Sequence, residues 1–515
     1  MIKSLIKTGE YYDSVSLMIV GKEITEMDGV IDAAVVMATL ENKAILKMSN
    51  LYLPEFDNCS DTDLLLVVNS EDEQLLENLE EIINDLLFKI RNKKSSQGSY
   101  SPKSIDGVVD ICPECNLVLI SIAGKYAGKQ AMKALQKGLN VMLFSDNVSL
   151  ETEINLKNYA LENDLLMMGP DCGTAIINGI PLAFANVVNK GDIGIIAASG
   201  TGLQEVSSII SNNGCGISQA IGTGGRDVKE QVGGMMFISS LRALNEDENT
   251  KIIVLISKPP HPIVLDKIKL IINGISKPVV CIFLGTISEN VDGVLYCETL
   301  EEAALTACAL SENKPADGVK SFLSQRKLAF SGICEEELEN IASTGKYVRG
   351  VFSGGTLCDE ALIILSKNID IYSNRAIKIQ FQLENSWFSK EHTVVDLGED
   401  EFTVGRLHPM IDFELRNKRI LQEAEDPETA VILFDLVLGY GANENPVGEI
   451  LPVIREAQNA SEGISFICSV TGTEEDPQGK AMTIESLEFA GINVMPSNAA
   501  AAELASSIIQ KLKKI

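Results

Sequence analysis

The sequence predicts an α/β chain of several domains: a small α+β module at the amino terminus, a partial Rossmann-like domain, and two flavodoxin-like domains. Three observations lead there. The chain has 515 residues, of which 45% are hydrophobic and 22% charged, enough for roughly three to four domains with full cores. Short apolar runs alternate with helical stretches over most of its length, the rhythm of parallel strands joined by helical crossovers. A glycine-rich strand-to-helix turn also occurs twice, because Ser199-Gly-Thr-x-x-x-Glu205 and Gly354-Gly-Thr-x-x-x-Glu360 share their spacing.

Residues 1–98 form the first module. SLIKTG, IDAAVVMAT and DLLLVVNS read as strands, and DSVSLMIVGKEITEM and EDEQLLENLEEIINDLLFKI as helices. That is a two-layer, ferredoxin-like pattern. RNKKSSQGSYSP (91–102) is polar and Ser/Gly-rich, a linker. Residues 101–185 alternate NLVLISI, NVMLFS and LLMMGP as strands with two helices, a doubly wound fragment. Residues 186–315 run GDIGIIAAS, GISQAIG, KIIVLISK and KPVVCIFLG as strands with helices between, and 311–327 reads as a polar connector. Residues 345–515 repeat the series from YVRGVFSGGTLCDEALIIL to SFICSVTG, with an extra stretch at 368–390. We read this as an internal duplication.

The composition excludes some functions. The formal charge is −29, from 43 basic and 72 acidic residues, which argues against a nucleic-acid or anionic-membrane surface. An anionic ligand must then be held by backbone N–H groups and a few basic side chains. Eleven scattered cysteines, no secretory leader and no long apolar run point to a reducing cytoplasm with free thiols. Cys112-Pro-Glu-Cys115 is a lone pair with no second pair, so no metal site is expected there.

The repeated turns are the strongest chemical signal. A helix amino terminus leaves unpaired N–H groups and a positive dipole end, and glycine lets an anion approach them. Ligands of parallel α/β sheets sit beyond the carboxyl ends of the strands. Ser199, Gly200 and Thr201 stand there in the third domain, and Gly354, Gly355 and Thr356 in the fourth. Gly439, Gly441 and Ala442, in LGYGANEN, also follow an apolar strand and are expected to open a helix. Together these make a phosphate site. Arg226 in GTGGRDV, Arg406 and His408 in TVGRLHPM, and His261 in SKPPHP are the candidate catalytic side chains, the arginines because their planar fork matches phosphate or carboxylate. Cys172, Gly224 and Gly225 form a candidate substrate loop. Asp396 and Glu401 read as loop braces.

The stretch GPDCGTAIINGIPLAFANVVNKGDIGIIAASGTGLQEV (169–206) resembles the α-subunit of succinyl-CoA synthetase. IGTGGRDV (221–228) resembles that family's glycine loop, and VVDLGEDE (394–401) with LVLGYGANENP is similar to the carboxy-terminal ligase domain of its β-subunit. Over the whole chain, including KTGEYYDSVSLM and SGGTLCDEA, the resemblance is to the FdrA family. It implies a CoA-binding-type domain at 101–185 and ligase-type domains at 186–315 and 345–515. It further implies a subunit of oxamate carbamoyltransferase, which interconverts oxalurate plus phosphate with oxamate plus carbamoyl phosphate in anaerobic allantoin breakdown. Small anionic substrates, companion subunits in a hetero-oligomer, or a homo-oligomer, and no resident cofactor or metal follow.

Two departures shape this expectation. The ligases carry a phosphohistidine after the strand that here reads KPVVCIFLG, and ISENVDGVLYCETL follows it without a histidine; the chain has three in all. Residues 101–115 supply no Gly-rich turn for the CoA nucleotide, and no ATP-grasp module is present. Competing readings are an ADP-forming acyl-CoA ligase acting with a separate ATP-grasp subunit, which the missing histidine disfavours, and a non-catalytic scaffold subunit, which the paired turns disfavour.

Overall fold

In the computed structural model the described residues are 1–8, 12, 14–25, 27–49, 51–60, 63–93, 102, 104–286, 293–403, 406–461 and 463–513. They divide into two compact units. One holds residues 1–115, 122–126 and 400–407, the other 116–121, 127–399 and 408–515.

The first unit contains β1 (Ile2–Lys7), α1 (Ser14–Thr25), β2 (Val30–Met37), α2 (Leu40–Met48), β3 (Leu64–Ser70), α3 (Glu73–Glu77), α4 (Leu79–Lys93) and α5 (Ile105–Ile111). The sheet order is β1-β3-β2, with both pairings antiparallel. Strand β3 is apolar on both faces. Leu64, Leu66 and Val68 pack with Leu17 and Val20 of α1 and Ile83 of α4, while Leu65 and Val67 pack with Leu46 of α2, Leu51 and Phe56. The module is therefore three-layered where two layers were expected. Successive strand residues point to opposite faces, so a continuous apolar run needs cover on both sides. The expected linker at 91–102 begins inside α4, and its residues 94–101 lie outside the described residues.

The second unit opens with β4 (Leu117–Ile120), α6 (Gly124–Gln136), β5 (Asn140–Leu143), α7 (Leu150–Glu162) and β6 (Met167–Met168), whose strands form a parallel sheet in the order β4-β5-β6. The hairpin β7 (Thr174–Ile177) and β8 (Ile180–Ala183) pairs elsewhere, antiparallel to the edge of the next sheet. That sheet is built by β9 (Lys190–Ala197), α8 (Gly200–Asn212), β10 (Ile217–Gly222), α9 (Met235–Glu246), β11 (Ile252–Ser257), α10 (Pro262–Ile272), β12 (Val279–Phe283), β13 (Val294–Tyr296) and α11 (Leu300–Ser311). Helix α12 (Asp317–Asn340) follows. The final sheet is built by β14 (Tyr347–Phe352), α13 (Gly355–Leu365), β15 (Thr393–Asp396), α14 (Asp400–Thr403, grouped with the first unit), α15 (Glu414–Ala424), β16 (Thr429–Val437), α16 (Pro446–Ala460), β17 (Ser465–Thr471), α17 (Lys480–Phe489), β18 (Asn493–Met495) and α18 (Asn498–Leu512).

The duplication is visible in the topology. The two sheets run β10-β9-β11-β12-β13 and β15-β14-β16-β17-β18, both in the flavodoxin-like order 2-1-3-4-5 with parallel pairing. Each has its topological switch point between its first and third strands, β9/β11 and β14/β16. Every residue of β11, β12, β16 and β17 is buried, as parallel strands covered on both faces require.

One continuous core joins the two domains. It contains Val206 and Ile210 of α8, Ala304 of α11, Leu357 and Ala361 of α13, and Leu504 of α18. Helix α8 is buried at every residue from Gly202 to Ser211, so it has no solvent face. Helix α18 enters the same core with Ala499 to Ala502, side chains small enough for close helix packing. Residues 311–327, expected as a connector, are mostly helical: α12 starts at Asp317 and buries only Val319 and Cys334. A polar helix with so thin an apolar stripe carries little periodic signal. Helix α9 starts at Met235, directly after Gly233 and Gly234, which both take φ of +76°.

Candidate active site at two opposed helix starts

The two repeated turns meet. Ser199 caps α8 by accepting from the N–H of Gly202 at 3.0 Å. Its hydroxyl also shares a 2.6 Å hydrogen bond with the hydroxyl of Thr356, and the N–H of Thr356 donates to Thr201 Oγ1 at 3.3 Å. Glycine is needed at 202: a Cβ there would lie 2.5 Å from Ser199 Oγ and 3.1 Å from Thr356 Cγ2. The shared spacing of the two motifs is thus the signature of two helix ends that interlock.

The glutamates at the end of each motif cross over. Glu205 accepts from the N–H of Asn498, the first residue of α18, at 3.0 Å, and from the hydroxyl of Thr471. Glu360 accepts from the N–H of Leu300, the first residue of α11, at 2.7 Å, and from Asn498 Nδ2 at 2.7 Å. Helices α11 and α18 are the last helices of their respective domains. Each glutamate therefore supplies an acceptor oxygen to the N–H end of the other domain's last helix. Burial pushes both carboxyls up, Glu360 to about 8.

The two starts differ in what faces them. At α13, Asp435 accepts from the N–H groups of Ser353 at 2.8 Å and Gly354 at 2.7 Å. Asp396 accepts from Gly398 N–H at 2.8 Å, and a Cβ on Gly355 would lie 2.7 Å from its Oδ2. Burial raises both carboxyls, Asp396 to about 6. The phosphate position expected at Gly354, Gly355 and Thr356 is therefore taken by the protein's own carboxylates and by the contact with α8. Asp396 is more than a loop brace. At α8 the neighbours are hydroxyls: Ser199, Thr201 and Thr174. Thr174 Oγ1 is buried without a hydrogen-bond partner and lies 3.4 Å from the place of a Cβ on Gly200.

The third expected anion position also changes character. Gly439, Gly441 and Ala442 do not open a helix, because α16 starts at Pro446 with Asn445 as its cap. Gly439 N–H donates to Gln478 Oε1 at 3.0 Å, Tyr440 N–H donates to the Ala185 carbonyl at 3.0 Å, and Gly441 packs on Phe184. Tight turns there serve packing.

Arg226, expected to grip an anion, pairs with Glu153 at 2.8 Å and donates to the Val148 carbonyl at 2.8 Å. Glu153 also pairs with Lys157 at 2.7 Å, which pairs with Asp227 at 2.8 Å, all three fully buried. Asp227 in turn accepts from Phe237 N–H at 2.8 Å near the start of α9. Arg226 thus belongs to an ionic clamp holding the glycine loop to α7 and α9. Cys172, Gly224 and Gly225 are brought to that loop as expected, but as packing: Cys172 Sγ is buried 3.3 Å from the Gly222 carbonyl, burial pushes its thiol up to about 12, and a Cβ on Gly224 would lie 2.2 Å from the Pro170 carbonyl. A thiol so raised is no nucleophile near neutrality.

The histidines scatter. His261 caps α10 through its backbone, with Nε2 3.6 Å from Glu230. His408 is half-buried: Met410 N–H donates to its Nδ1 at 3.2 Å, and desolvation lowers it to about 4, so it stays neutral. Arg406 belongs to the first unit, where its N–H donates to the Thr403 carbonyl.

Sequence reasoning missed the charged groups that do gather at the interlocked starts. Lys258, the residue after β11, lies 2.8 Å from Asp359 of α13. Arg375 lies 2.8 Å from the other oxygen of Asp359 and 3.7 Å from Asp396, and it also pairs with Glu399. The signal for Lys258 was its place directly after an apolar strand. Arg375 sits in the extra stretch at 368–390, which matches nothing in the first copy.

Three family models match the chain: "AllF, heavy metal-associated domain" over residues 1–103, "CoA binding domain" over 188–285, and "CoA-ligase" over 351–508. The second falls on the first flavodoxin-like domain. Residues 1–103 hold one cysteine, Cys59, and no histidine, a donor set that does not fit a paired-thiolate metal site. The close approaches at Gly222 and Gly224 are filled by the Thr174 and Pro170 carbonyls, so these two glycines serve packing rather than a nucleotide cradle. Two Staphylococcus relatives are "Succinate--CoA ligase [ADP-forming] subunit alpha". That of S. epidermidis RP62A is 25% identical over 169 residues, 32% of this chain and 55% of the relative; that of S. aureus Mu50 is 26% identical over 144 residues, 27% and 46%. The chain thus spans about half the length of these ligase subunits. A solved dinucleotide-forming acetyl-coenzyme A synthetase 1 from Ca. Korarchaeum cryptofilum aligns with 81% of this chain and 87% of its own, at 14% identity and a TM-score of 0.34. The "Uncharacterized protein YahF" of Escherichia coli (strain K12) is 42% identical over 523 aligned positions, 99% of both chains. At that identity along essentially its whole length, the chain belongs to the family of YahF, a multidomain α/β family that combines CoA-binding and CoA-ligase domains.

Proposed function

We propose that the chain is a subunit of a carbamoyltransferase that exchanges a carbamoyl group between oxalurate and phosphate, giving oxamate and carbamoyl phosphate. The observation that supports this reading is the pairing of a hydroxyl-lined helix start at α8 with a segment after β12 that carries no histidine. A phosphate oxygen attacks the ureido carbonyl carbon, the C–N bond to oxamate breaks, and the departing nitrogen takes a proton. This direct transfer needs oriented phosphate and a stabilised oxyanion but no phosphohistidine. On this reading the amides of Gly200 and Thr201 hold the phosphate. The FdrA resemblance supplies the substrate. The enzyme is cytoplasmic and works with companion subunits; among the described residues no helix is long and apolar enough to cross a membrane.

Two observations favour a second reading, an ADP-forming acid–thiol ligase subunit: the ligase relatives and the CoA-ligase family match. Incubating the purified chain, alone and with companion proteins, with carbamoyl phosphate and oxamate separates the two. Oxalurate and free phosphate are the expected products. Failure to form them, together with acid-labile phosphate on His261 after incubation with ATP, establishes the ligase.

A further inference from the structure

We infer that Lys258 is the cation that completes the anion site at the start of α8, an inference that rests on the phosphate position proposed above. Strands β9 and β11 are parallel neighbours, with Ala197 paired to Ile256. Two residues beyond that pair stand Ser199, the cap of α8, and Lys258. The lysine therefore leaves the sheet beside the helix start, at the switch point where ligands of such sheets collect. The site is more than a bare helix end, because Thr174 Oγ1 is buried, unpartnered and next to Gly200.

Lys258 is held aside across the domain interface. Its ammonium lies 2.8 Å from Asp359 Oδ2 and is one-third exposed. Asp359 does not depend on it, since Arg375 reaches both carboxylate oxygens, at 2.8 and 3.1 Å. A lysine has a flexible four-carbon stem and a point charge, so it can turn to a phosphoryl group while the guanidinium fork keeps the aspartate satisfied. The charge arithmetic favours the move. The start of α13 is surrounded by Asp396, Asp435 and Asp359, whereas hydroxyls surround the start of α8. An anion at α8 brings charge that Lys258 can neutralise without leaving Asp359 unpaired.

The test is titration of inorganic phosphate into the full-length chain, followed by calorimetry, with carbamoyl phosphate as a second ligand. Lys258→Gln is expected to weaken binding of both by roughly tenfold to a hundredfold, the worth of one charge-assisted hydrogen bond. Lys258→Arg restores most of the affinity. Asp359→Asn, which removes a competitor for the lysine, leaves affinity equal or tighter. A purely structural bridge would make Lys258→Gln and Asp359→Asn weaken binding alike, and that result overturns the inference. Wild-type phosphate affinity that Lys258→Gln leaves unchanged sinks the role of Lys258 and spares the proposed function. No phosphate binding by the wild type removes the anion site itself and both readings with it.

Discussion

The starts of α8 and α13 occupy the same place in duplicated domains, yet they satisfy their helix dipoles differently. The α8 start is lined with neutral hydroxyls, those of Ser199, Thr201 and Thr174. The α13 start is met from inside by Asp435 and Asp396. A helix end can be neutralised by an external anion or by a built-in carboxylate, but hardly by both at once. In the duplicated copies the same helix end thus meets hydroxyls in one and the protein's own carboxylates in the other. The shared motif therefore reports shared topology and a shared interface, while the residues arriving from neighbouring strands decide the chemistry.

The sharpest way to break this comparison is Asp435→Ala. It strips two N–H groups of their acceptor and removes the carboxylate 3.9 Å from the fully buried Arg416, whose charge is left uncompensated. We expect a loss of about 3–5 kcal/mol in chemical denaturation, the range for a broken buried charge arrangement. Gly202→Ala comes next: its Cβ meets Ser199 Oγ and Thr356, and pushing the two starts apart should cost about 1–3 kcal/mol. Ser199→Ala, the counterpart of the first substitution on the neutral side, removes one cap and should cost about 1 kcal/mol. A loss as large as that of Asp435→Ala would erase the distinction drawn here. The last effect is one of slope. The Glu360 carboxyl is raised to about 8 in the folded chain, so the folded state holds its proton more tightly than the unfolded state does. Its contribution is full below the ordinary glutamate value and is lost as pH rises through about 8. Glu360→Gln should therefore flatten the decline in urea midpoint between about pH 5 and pH 8, even though it sets an amide donor against Asn498 Nδ2.

The two flavodoxin-like sheets were legible in the sequence because each buried parallel strand is a continuous apolar run such as KIIVLISK or AVILFDLVLG. The helix starts at Gly200 and Gly355 were legible because glycine and a cap residue follow those runs directly. Pairings were not. Nothing in TAIINGIPLA tells which sheet the hairpin β7–β8 joins, and nothing in GTGGRDV shows that Glu153 on a preceding helix already holds Arg226. A basic residue on a glycine loop looks like a ligand contact until the carboxylates around it are known. Lys258 and Arg375 were overlooked for the converse reason, since their neighbours Asp359 and Asp396 come from other elements and give no local pattern.

The crossed capping by Glu205 and Glu360 also bears on assembly. Each flavodoxin-like half completes the other's last helix, so a chain cut within α12 should yield fragments that fold poorly apart and recover on mixing. The 24 residues of α12 bury only Val319 and Cys334 and join the two halves in one chain. The covalent link turns what would be a meeting of two subunits into a first-order step of a single chain.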